Sequence, residues 1–180
     1  MERRKFIANA VLVTGGLCSM SQFAWAETFL TIDQAKTVLW GPDEHFTKID
    51  VTLTKDQMKS IAKAADVRVR KAALSVWKTS GDGWFIVDQV IGKHENIDLA
   101  VALTSDGKVK GIEILTYRES YGQEVRNDKW RAQFYGKDAN VKLRIGDQIR
   151  NISGATLSCR HITDGINRLT QTWEQVLRHL

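Results

Sequence analysis

Cysteine and proline are nearly absent: two cysteines and one proline occur in 180 residues. Cys18 falls in a segment read below as a removable leader, which leaves Cys159 alone. No internal disulfide can then form, and no C-x-x-C-H haem attachment site exists. An excess of one charge is missing too. The 26 basic and 21 acidic residues give a net charge of +5. Loss of Glu2, Arg3, Arg4 and Lys5 with the leader lowers it to +3. So small and scattered a surplus argues against nucleic acid as a partner. No apolar run approaches the roughly 18 residues that a membrane span needs. No repeat or low-complexity stretch occurs either. Stability must therefore come from a hydrophobic core, which a chain of about 154 residues can supply.

The leader has three parts. Met1–Lys5 is basic, Phe6–Leu17 is an apolar run rich in small residues, and a polar stretch ends in Ala24-Trp25-Ala26. This is the layout of a secretory signal cleaved after Ala26, and it implies a periplasmic mature protein. Arg3-Arg4 followed by Lys5-Phe6-Ile7 resembles a twin-arginine signal, with the general secretory route as the alternative. Leu17 before Cys18 fits a lipoprotein cleavage site poorly.

Beyond residue 26 the sequence reads as a single domain, 27–180, with a helical extension over 28–66. Thr31-Ile32-Asp33-Gln34 and Thr54-Lys55-Asp56-Gln57 are capping boxes. The first opens a helix to about Leu39, stopped by Gly41-Pro42, and the second a helix to about Ala65. Residues 72–79 read as a strand, turned at Gly81-Asp82-Gly83 into a second, Trp84–Ile91. "IDLAVALTSDGKVKGIEILTY" reads as a hairpin folded at Ser105-Asp106-Gly107. Arg126–Tyr135 suits a short helix carrying Trp130 and Phe134 on one face. Apolar residues at 162, 166, 169, 173, 176 and 180 mark a long amphipathic helix. The class expected is α+β: an antiparallel sheet covered by helices, with a long C-terminal amphipathic helix.

The chemistry gathers where that last helix is entered, in "NISGATLSCRH". Free backbone N–H groups and the positive helix end favour an anion there. Gly154 permits close approach, Ala155 adds little bulk, and Ser153, Thr156 and Ser158 offer hydroxyls. On composition alone, a plain helix cap explains these residues better.

Ser153-Gly154-Ala155-Thr156-Leu157-Ser158 resembles the S-G-A-T-x-S motif of the FMN-binding domain family, which includes flavin subunits of bacterial sodium-pumping and Rnf-type redox complexes. Two further stretches are similar to that family. Glu119-Ser120-Tyr121-Gly122-Gln123 resembles its E-T-P-G-L-G loop, and Trp130, Phe134 and Gly136-Lys137 resemble its W-x-x-x-F-x-G-K segment. The resemblance spans roughly residues 84–173. It implies FMN joined through a phosphoester to Thr156 by a separate flavin transferase that uses FAD and a divalent metal. It also implies cofactor contacts from Ser153, Gly154, Ala155, Ser158, Glu119, Tyr121 and Gly122; Arg160, as a basic group near an anion site, is expected to pair with the phosphate. Tyr121 and Gln123 depart from the Pro and Leu of the family loop. Cys159 stands where a small hydroxyl residue is common.

Thr156 would be a modification site rather than a catalytic residue, because a Thr hydroxyl is a poor nucleophile until activated. Cys159 reads as a small packing residue, and Cys159 with His161 lacks the further ligands of a metal site. Lys93-His94-Glu95 reads as a solvated turn. The function expected is a periplasmic electron carrier with unidentified donor and acceptor, either of which could be membrane-bound. A flavin-dependent reductase acting on a small substrate is the alternative, and a non-redox binding module the third.

Overall fold

The computed structural model describes residues 27–180, so the leader reading, with Arg3, Arg4 and the cleavage after Ala26, lies outside the described residues. Both capping boxes form. Thr31 and Thr54 each accept from the backbone of the Gln three residues on, and each Gln side chain accepts in return. They start α1 (Ile32–Trp40) and α2 (Lys55–Ala65) where the sequence places them. The strands are β1 (Glu27–Thr28), β2 (Phe46–Thr52), β3 (Ala73–Thr79), β4 (Trp84–Ile91), β5 (Asn96–Leu103) and β6 (Val109–Tyr117). They form one antiparallel sheet in the order β1-β6-β5-β4-β3-β2. The turn between β5 and β6 closes at residues 104–108, with Gly107 donating to the Thr104 carbonyl.

The sheet is covered on both faces, and this is the α+β arrangement expected. One face carries the main core, where Ile86, Ile97, Leu99, Val101 and Ile112 join the buried side of α2 and of α4 (Thr156–Gln175). The other face is a smaller cluster of Ala35, Phe85, Ala100 and Leu115 under α1. Central β5 is therefore buried on both faces, which is why Leu99–Leu103 is uniformly apolar rather than alternating.

Besides the unexpected two-residue β1, three elements differ from the expectation. The segment 28–66 also contributes edge strand β2, paired along its length with β3. Thr47, Lys48 and Asp50 face solvent on that edge, so its apolar alternation is weak. The helix expected over 126–135 is broken into a 3₁₀ turn at Gln123–Arg126, α3 (Asp128–Arg131) and a second 3₁₀ turn at Ala132–Phe134. Asn127 causes the break: its backbone is extended and its side chain accepts from the Lys129 amide as a cap. Finally, α4 begins at Thr156, so Thr156 and Ser158 are helical rather than in the entering loop. Its stripe of Ile162, Ile166, Leu169 and Trp173 is buried as expected. The helix ends at Gln175, so Leu180 is exposed and Leu177 takes the inward place.

Candidate functional site

The approach to α4 is a tight turn in which the Ala155 amide donates to the Ile152 carbonyl at 3.0 Å. Gly154 has φ of +83°, a left-handed value that β-branched or bulky residues avoid. Ala155 occupies the cap position, and no side chain caps the helix. The hydroxyl run is thus not a capping device. Helix geometry leaves the first-turn amides without an intrahelical acceptor, and no acidic residue stands in that turn to oppose an anion. Thr156 is exposed on the first turn, and its Oγ1 accepts from Asn151 Nδ2 at 3.0 Å. One lone pair is thereby used, while the hydroxyl proton stays available to another group.

Stretches remote in sequence meet here. Tyr117, at the end of β6, is buried, and its Oη donates to the Tyr121 carbonyl at 2.6 Å. The same atom pairs with buried Ser158 Oγ at 3.0 Å. Tyr117 thus ties the 119–123 loop to the first turn of α4. Gly122, with φ of +94°, packs so closely that a Cβ there would lie 2.6 Å from both Ala155 Cβ and Tyr117 Oη. The third stretch joins from the other side. Trp130 Nε1 donates to the Arg150 carbonyl at 2.8 Å, and the Arg150 amide donates to Gln133 Oε1 at 2.8 Å. Trp130 and Phe134 stack edge to face at 5.2 Å. Beside the helix mouth lie a hollow of about 390 Å³ bounded by Glu124, Trp130, Gln133, Arg150 and Asn151, and a shallower one along residues 120–127. The first is within the size range of small cofactor sites.

The expected site residues take different parts. Ser153 and Gly154 are exposed in the turn, Ala155 and Ser158 are buried beneath it, and Arg160 is exposed one turn beyond Thr156. Tyr121 is 82% exposed, its ring free to meet a ligand. Glu119 instead faces the 92–95 turn, where its carboxylate accepts from the His94 amide at 2.5 Å and the Glu95 amide at 3.0 Å. Desolvation raises its pKa, but the backbone donors of Glu95, His94 and Lys93 outweigh this and hold it below the usual glutamate value. His161 completes that turn, with Nδ1 2.7 Å from the Ile91 carbonyl. Cys159 is fully buried, and burial pushes its thiol pKa up, which makes it a packing residue of low reactivity. Burial likewise raises the Tyr117 pKa, against the opposing bond to Ser158. Tyr117 and Asn151 were not among the residues expected at the site. Asn151 stood within the hydroxyl-rich stretch itself, but nothing local announces the reach of Tyr117 to a helix 41 residues away.

An uncapped helix mouth offering an exposed threonine stands beside a hollow with Trp130 in its wall, an arrangement that suits a phosphate-bearing cofactor. Residues 92–171 match the model of the FMN-binding domain. That match supports an FMN-binding domain in this stretch of the chain. It is also 26% identical over 133 residues to one component of the proton-translocating ferredoxin:NAD(+) oxidoreductase complex of Clostridium ljungdahlii, a match covering 67% of this chain and 72% of that component.

Proposed function

We propose that the chain is an exported electron-transfer flavoprotein whose FMN is joined to Thr156 by a phosphoester. The observation that carries this reading is the uncapped start of α4 with the Thr156 hydroxyl exposed on it. The residues present fit the group. Unpaired amides and the helix dipole favour the one negative charge of a phosphodiester. Asn151 orients Oγ1, and Arg160 stands one turn away on the same side of the helix. Tyr121 offers an exposed aromatic ring to the ring system, while Trp130 is buried in the wall of the hollow. When bound, the isoalloxazine supplies one- or two-electron redox chemistry.

Attachment needs help from outside the chain, because no base touches Thr156 Oγ1 among the described residues. A flavin transferase supplies it: the Thr156 oxygen bonds to the FMN phosphorus of FAD, AMP leaves, and the hydroxyl proton is released. The likeness to a component of a redox complex supports the electron-transfer role, with donor and acceptor as separate proteins. Covalent linkage would keep the flavin on the protein in the periplasm, where a dissociated one would diffuse away.

The test is intact-mass analysis of protein exported from cells that co-express a flavin transferase. The expected mass is the chain from Glu27 plus one FMN less a water. Thr156→Ala should abolish labelling with little loss of stability, since the exposed hydroxyl makes one bond, worth about 0.5–1.5 kcal/mol. Thr156→Ser should retain labelling, and Asn151→Ala should slow it. Full covalent labelling of Thr156→Ala would refute the assignment.

A further inference from the structure

A separate cavity, of about 320 Å³, lies between α4, the end of β4 and the segment that follows α2. It shares no lining residue with the helix mouth or the hollows beside it. Its rim is the connection between α2 and β3, which brings Arg68, Arg70 and Lys71 to the opening. Val69 is buried between the two arginines and anchors the segment. None of these three cations joins an ion pair among the described residues. The neighbouring charges are already matched: Asp66 to Lys142, and Asp88 to Arg168. Three unpaired cations around one opening repel one another, and a bound anion relieves that repulsion.

The inner wall has the opposite character. Asp164 and His161 lie three residues apart on α4 and both line the cavity. His161 Nδ1 must carry a proton to bond the Ile91 and Gly92 carbonyls, so Nε2 of the neutral ring is left as an acceptor. Asp164 is half-buried and has no ion-pair partner among the described residues. Burial pushes its carboxyl pKa above the ordinary value, against nearby positive charge such as that of Arg160. The cavity is therefore cationic at its mouth and rich in acceptors at its wall.

We propose that this cavity binds a small organic anion, with its carboxylate or phosphate group held by Arg68, Arg70 and Lys71 and a hydroxyl or amino group at its other end held by Asp164 and His161. Paired arginines suit either oxyanion by two-pronged hydrogen bonding. The wall favours a ligand that carries a donor. The proposal does not depend on how, or whether, flavin is attached.

The experiment is an amide NMR titration of the exported chain, with malate and glycerol 3-phosphate as separate hydroxylated probes. Succinate serves as the analogue without the hydroxyl, and sodium chloride controls for ionic strength. Saturable shifts confined to residues 66–71, 88–91 and 161–168 are expected for malate or for glycerol 3-phosphate, at a Kd of about 1 mM or tighter. Whichever probe saturates identifies the head group. Joint Arg68→Ala and Arg70→Ala should weaken binding at least about tenfold, and both side chains are exposed enough for the variant to fold. Asp164→Asn should narrow the preference for malate over succinate. Thr156→Ala should bind as the parent does, which separates failure of this proposal from failure of the flavin assignment. Absence of saturation beyond the chloride control would overturn the proposal. So would binding that survives loss of both arginines.

Discussion

Removing one oxygen should separate the two loops that build the helix mouth. Tyr117→Phe keeps the buried ring, so no apolar surface is lost and no cavity opens. Only Oη disappears, and with it the bonds to the Tyr121 carbonyl and Ser158 Oγ. The Tyr121 carbonyl lies in an exposed loop and can turn to water. Ser158 is 3% exposed and cannot, so its hydroxyl is left buried without a partner. A lost hydrogen bond with an orphaned buried partner costs about 1–3 kcal/mol. For a domain of this size that lowers Tm by roughly 3–10 °C. Ser158→Ala should cost less, and the double variant should be little worse than Tyr117→Phe alone, because nothing remains orphaned. A coupling of about 1 kcal/mol is expected from the cycle, read by thermal unfolding monitored by circular dichroism. Alkaline pH gives a second handle. The folded Tyr117 pKa is raised, so its contribution is complete below the unfolded value near 10 and is lost as pH climbs above it. That loss should be smaller in Tyr117→Phe. Strict additivity of the two substitutions, or an unchanged Tm in Tyr117→Phe, would refute the reasoning.

Gly122→Ala should destabilise by about 1–3 kcal/mol, since a left-handed φ and a Cβ 2.6 Å from Ala155 Cβ must both be accommodated. Flavin fluorescence on denaturing gels should fall with it, because the 119–123 loop is pushed from the helix mouth. Glu119→Gln should weaken the 92–95 turn, seen as faster hydrogen exchange at the His94 and Glu95 amides. The folded Glu119 pKa is depressed, so its stabilisation is present above the ordinary glutamate value of 4.5 and is lost as pH falls below it. The variant should therefore be less stable at neutral pH, with a shallower decline in acid. An acid limb identical to the parent's would argue against the role assigned to that carboxylate.

Elements specified by neighbours in the chain were legible from the amino acids alone. Each capping box closes within four residues, and the hairpin turn at residues 104–108 closes locally, so both formed as read. The stripe of α4 was legible because burial repeats with the helical period. The FMN-binding domain over residues 92–171 was legible by resemblance through the motif around Thr156. What the sequence left open was whether its hydroxyls cap the helix, and only the backbone shows Ala155 in the capping place. Strand β2 was invisible because an edge strand with one partner and a solvated face needs little apolar alternation, and two-residue β1 exists only by pairing with β6. The break at Asn127 arose from a competition between helix continuation and a side-chain cap that propensity does not decide. The meeting of Tyr117, Gly122, Trp130 and Ser158 depends on contacts between residues far apart in the chain. Such contacts form only after the sheet and α4 have packed, and no local pattern encodes a distance that packing alone creates.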